Sequence, residues 1–87
     1  MIRCRRAARV AVVRRDDRTF VASLHGEVLL LRDNAVVIWE CVDTGYCEIT
    51  DIVDRVAARA GLPATDVAAE TRAFLDSLRE SGLIIAE

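Results

Sequence analysis

The side chains in this chain best suited to chemistry are three cysteines, one histidine and a dense set of arginines. Cys4, Cys41 and Cys47 are odd in number, and the step from 41 to 47 matches no common zinc-ligand spacing. That pattern argues against a disulfide scaffold and fits reduced thiols in a cytosol best. A Ser-His-Asp or Cys-His nucleophilic site would have to be built from His25 alone, and His25-Gly26 reads as a turn. The chain is therefore expected to bind rather than to catalyse, with no metal and no cofactor.

The arginines carry the other chemistry. All twelve basic residues are arginine. Arg3, Arg5, Arg6, Arg9, Arg14, Arg15 and Arg18 stand in the first eighteen positions against only Asp16 and Asp17, although the net charge of the chain is −2. A basic arm of this kind can hold phosphate or an acidic partner. The plain alternative is a solvated N-terminal strand.

The elements that must position these residues follow from hydrophobic periodicity. Eighty-seven residues, 53% apolar and 30% charged, make one small globular domain spanning 1–87. No uninterrupted apolar run approaches the roughly 20 residues of a membrane helix, and no secretory segment opens the chain. Short apolar and β-branched runs at about 8–13, 19–24 and 27–31, separated by turn-like residues, predict a three-stranded antiparallel meander. From there the period becomes helical. Ala35, Ile38, Trp39 and Val42 mark a helix over about 34–43, capped by Asp33 or Asn34. Ile49, Ile52, Val53, Val56, Ala57 and Ala60 mark a second over 49–60, with Gly61 as its C′ glycine. Val67, Thr71, Phe74 and Leu78 form the expected core stripe of a third over 65–81. The fold class is α+β with order βββααα.

Two features exceed what such a core needs. Val28-Leu29-Leu30-Leu31 does not alternate apolar with polar, as a strand with one wet face should. As the last strand of a meander it also leaves an unpaired edge. Either the apolar tail Leu83 to Ile85 covers that edge or a partner strand does. The second feature is a stripe on helix three, Ala68, Arg72, Leu75 and Arg79, beside the core stripe. Together they outline a groove for an extended, acidic-hydrophobic peptide. Leu29 and Leu31, or else Val28 and Leu30, would line it with Leu75 and Ala68, and Arg72 and Arg79 would select acidic positions. The expected peptide-binding set is Val28, Leu29, Leu30, Leu31, Ala68, Arg72, Leu75, Asp76 and Arg79. A DNA-binding winged helix has a similar element order. However, residues 48–87 hold eight acids against four arginines, and Asp66, Glu70, Asp76 and Glu80 on helix three repel phosphate.

Leu31-Arg32-Asp33-Asn34-Ala35-Val36-Val37-Ile38-Trp39 resembles the "L-N-x-T-A-x-x-I-W" signature of PqqD-like proteins. Ile49-Thr50-Asp51-Ile52 resembles the opening of that family's second helix. Phe74-Leu75-Asp76-Ser77-Leu78 followed by Gly82-Leu83-Ile84 resembles its closing "F-L-x-x-L … G-L-L/I". The likeness covers roughly residues 19 to 85. Arg32 stands where Asn is usual, Asn34 where Thr is usual and Glu48 where Thr precedes helix two. The resemblance implies a winged helix-turn-helix-like domain that binds the leader segment of a ribosomally made, modified precursor peptide. It implies that the leader adds as a strand to strand three and packs on helix three. The short, arginine-rich, lysine-free chain looks most like the discrete leader-binding protein of lasso-peptide clusters. Such a protein is cytoplasmic and works beside a separate leader peptidase and a macrolactam cyclase, with no nucleic-acid or membrane partner. A radical SAM enzyme is the other companion implied. The alternative reading is a docking module for a larger enzyme, with no peptide substrate of its own.

Overall fold

A computed structural model describes residues 2–23 and 28–87. The strand expected at 8–13 is replaced by two. β1 (Arg3–Arg6) and β2 (Ala11–Arg15) are separated by a turn and belong to different sheets. The arginine-rich start is thus built into the fold. β1 lies between β5 (Cys47–Glu48) and β6 (Ile84–Ala86), antiparallel to both, with Cys4 opposite Cys47 on one side and Ala86 on the other. Its arginines are engaged. Arg3 Nε donates to Glu87 Oε2 at 2.8 Å, and the Arg3 guanidinium lies 4.4 Å from the centre of the Tyr46 ring. Arg6 Nη1 donates to Asp43 Oδ1 at 2.8 Å, while Arg14 of β2 takes the other oxygen of the same carboxylate. Asp43 thereby clamps the β1–β2 connection to the end of the first helix.

The second sheet is an antiparallel meander of β2, β3 (Arg18–Ala22) and β4 (Val28–Leu31). Asp16 and Asp17 join β2 to β3. Asp16 has φ 53, the left-handed conformation a two-residue hairpin turn demands. The expected His25-Gly26 turn lies outside the described residues. Strand alternation sorts the side chains by face. Val12, Val21, Leu29 and Leu31 turn to the core, whereas Ala11, Val13, Phe20, Ala22, Val28 and Leu30 turn outward.

The helices are α1 (Asn34–Asp43), α2 (Ile49–Ala60) and α3 (Ala64–Glu80), each within a residue of expectation. Gly61 ends α2 at φ 68, its N–H donating to the Ala57 carbonyl, because a left-handed residue there costs glycine nothing. Asp33 precedes α1 without capping it through its side chain and sits at φ 54, ψ −122. Its backbone makes the entry instead: the Ala35 N–H donates to the Arg32 carbonyl at 3.0 Å and the Val36 N–H to the Asp33 carbonyl at 3.1 Å. Trp39, Ile52, Leu75, Leu78 and Leu83 are fully buried at the centre of one apolar cluster. No helix among the described residues is long and apolar enough to cross a membrane. The architecture is α+β.

The core stripe of α3 differs from the expected one by a single position. Leu75 is buried with Val67, Thr71 and Leu78, and Phe74 is only half-buried. Both residues flank the same stripe, one on each side, and helical spacing ranks them equally. What packs alongside decides between them, and the cluster closes over Leu75.

Candidate functional site

The edge of β4 is the first half of the site. β4 pairs with β3 on one side and, among the described residues, with nothing on the other. The apolar tail does not cover it. Leu83 is in the core, and Ile84–Ala86 forms β6 on the edge of β1 instead. The alternative of a self-sealed edge is thereby removed. Val28 is 62% exposed and Leu30 41%. The free edge of this four-residue strand, where alternate residues turn their N–H and C=O outward, offers a short template for a further strand. Leu29 and Leu31 belong to the core face, while Val28 and Leu30 face away from the helices.

The second half is a cleft of about 180 Å³ beside α3. Asn34, Ala35 and Ile38 of α1 form one wall, Val56 of α2 contributes to the floor, and Val67, Glu70, Thr71 and Phe74 of α3 form the other wall. No β4 residue lines the cleft; β4 joins its α1 wall through Arg32 and Asp33 alone. The cleft is mainly apolar, with Glu70, Asn34 and Thr71 as polar points.

This is not the flank of α3 that periodicity singled out. Ala68 and Arg72 line a separate depression with Thr50, Val53 and Asp54 on the α2 side. Leu75 is fully buried and so offers no surface to a guest. Asp76 and Arg79 sit together on the exposed side, with Arg79 Nη2 3.6 Å from Asp76 Oδ1. The expected stripe is therefore split between core, α2 flank and solvent. Phe74 and Glu70 were legible as helix residues, but only the position of α1 makes them a wall.

The thiols stand apart from this surface. Burial, with Cys47 and Cys41 nearby, pushes the Cys4 thiol up to about 11. Burial also raises Cys47, more than Arg55 lowers it. Such thiols stay protonated at neutral pH, which makes them poor nucleophiles and poor metal ligands. Among the described residues no three His, Cys, Asp or Glu side chains converge as a metal site.

The chain is thus a small α+β domain whose β2–β3–β4 meander leads into the helices, with an open β4 edge and a cleft against α3. The family described as Coenzyme PQQ synthesis protein D (PqqD) matches residues 12–84. The chain belongs to the PqqD family. Members are non-catalytic, peptide-binding accessory proteins in the biosynthesis of ribosomally made, modified peptides, where they serve modifying enzymes. The PqqD match begins inside β2 and ends at the start of β6, so β1 lies wholly outside it. No curated protein and no solved structure matches the chain significantly.

Proposed function

We propose that this PqqD-family chain captures the leader segment of a precursor peptide by strand addition to β4 and presents it, in the cytoplasm, to a separate leader peptidase and macrolactam cyclase of the lasso-peptide type. The observation that carries the reading is the unpaired edge of β4, with the C-terminal strand paired elsewhere. Main-chain groups of Val28 to Leu31 give affinity with little sequence demand. Specificity comes from apolar leader side chains that enter the cleft between Ala35, Ile38 and Phe74. The helix contact thus moves from the Ala68–Arg72 flank to the Val67–Phe74 flank. Burying two or three apolar side chains contributes roughly 1.5–3 kcal/mol each, reduced by the cost of ordering a flexible leader. With the main-chain hydrogen bonds of the added strand included, the dissociation constant is expected in the micromolar range, about 1–100 μM. Once held, the leader raises the local concentration of its cleavage site at the enzyme.

Fluorescence-polarisation titration with the leader of the precursor encoded beside this chain tests the reading. The wild type is expected to bind in that range, and Phe74→Asp or Leu30→Lys to bind at least tenfold more weakly while keeping the wild-type circular dichroism. Equal affinity for folded Phe74→Asp and wild type would remove the cleft from the proposal. No binding by the wild type would remove the edge as well.

A further inference from the structure

The outward face of the β2–β3–β4 sheet is a second surface that the fold does not use. Registers bring Val13, Phe20 and Leu30 into one row across all three strands. Val13 is 50% exposed, and each neighbouring outward position on these strands toward Val28 is also apolar. An antiparallel sheet that leaves one face in water normally makes that face polar, and contiguous exposed apolar surface marks an interaction site. The next row along is arginine. Arg15 stands directly opposite Arg18, and Arg32 follows Leu31 one residue beyond the ladder. Like charges opposite each other destabilise a sheet unless an anion joins them. The nearest carboxylate to Arg18 is the exposed Asp17 at 3.9 Å, and Arg15 has no ion pair among the described residues.

We infer that this face docks the modifying enzyme, which meets it with an apolar surface edged by carboxylates. A second copy of the chain fits less well, because no strand position on the face carries a carboxylate to answer the arginine row. The inference rests on β4 as the leader's strand and extends it. Alternate side chains of an added strand continue the rows of Val28 and Leu30, so the enzyme reads a surface composed of protein and leader together. Leader occupancy is then sensed at the enzyme without any change in fold.

β2 is the strand farthest from the leader's edge, which separates the two surfaces experimentally. The probe is the purified precursor-modifying enzyme encoded nearest to this chain, titrated by biolayer interferometry with and without leader. Val13→Asp and the double variant Arg15→Glu, Arg18→Glu are expected to keep leader affinity within twofold and to lose at least tenfold in enzyme affinity. Leader is expected to tighten the enzyme's hold on the wild type. Unchanged enzyme affinity in both leader-competent variants overturns the inference. So does sedimentation of the wild type as a dimer that Val13→Asp converts to monomer, which assigns the face to a second copy. A wild type that takes no leader brings down the reading of β4 instead.

Discussion

Asp33 joins β4 to the helix that walls the cleft, and it does so at φ 54, ψ −122, where only glycine is at ease. Asp33→Gly is therefore expected to stabilise the protein by about 1 kcal/mol and to raise the thermal midpoint by several degrees, as differential scanning calorimetry would show. A lower midpoint would mean that the Asp33 side chain has a role its missing cap bond does not reveal. Cys4 makes a second residue-scale prediction. Its thiol is held up to about 11 from an ordinary value of 9.0, so the unfolded chain loses that proton first as pH rises. The stability tied to it is complete below about pH 9 and declines as pH climbs from 9 toward 11. Thermal midpoints measured across that window should fall for the wild type and fall less for Cys4→Val. Parallel curves would show that another group controls the alkaline limb.

At the scale of elements, β4 and α3 are the two proposed to share recognition of the leader. Strand addition depends on main-chain hydrogen bonds whose direction alternates along the guest. Leaders N-methylated at successive positions should therefore fall into two classes, one losing at least tenfold in affinity and the other nearly unaffected. A uniform response would show that the guest does not lie on β4 as a strand. α3 contributes shape through Phe74 and Thr71 and repels phosphate through its four acids, so duplex DNA at 0.15 M salt should show no retardation. The periodicity of α3 was readable from residues three and four apart. Which flank lines the α1 cleft was not, because Ala68 and Phe74 both border the core stripe and differ only in which helix lies beside them.

Across the whole molecule, β1 occupies the place on which the rest depends. It takes β6 as a partner and so keeps the apolar tail away from β4. Removing residues 2–7 should uncover Leu83 and Ile84, which are buried in the intact chain. Exposing two such side chains costs about 3 kcal/mol or more, and chemical denaturation would register this as a lowered midpoint. An unchanged midpoint would show that β1 is an accessory to the fold. The same experiment asks whether the freed tail then competes with the leader for the open edge.

Sequence alone determined the α+β class, an antiparallel meander ahead of three helices, the three helix spans, the buried Trp39 stripe, the unusual apolar strand at Val28–Leu31 and the family likeness, but neither β1 nor the short strands β5 and β6. Each rests on spacings of a few residues, where period 2 or 3.6 is written locally in the chain. Tertiary structure alone decided that the arginine-rich start is a strand and that the tail pairs with it. It also decided that Val28 and Leu30 face outward and that the cleft lies on the Phe74 side of α3. Those outcomes depend on partners distant in sequence, such as Arg3 and Glu87, which are 84 positions apart. A local pattern shows which face of an element is apolar. It carries no record of which other element will cover that face.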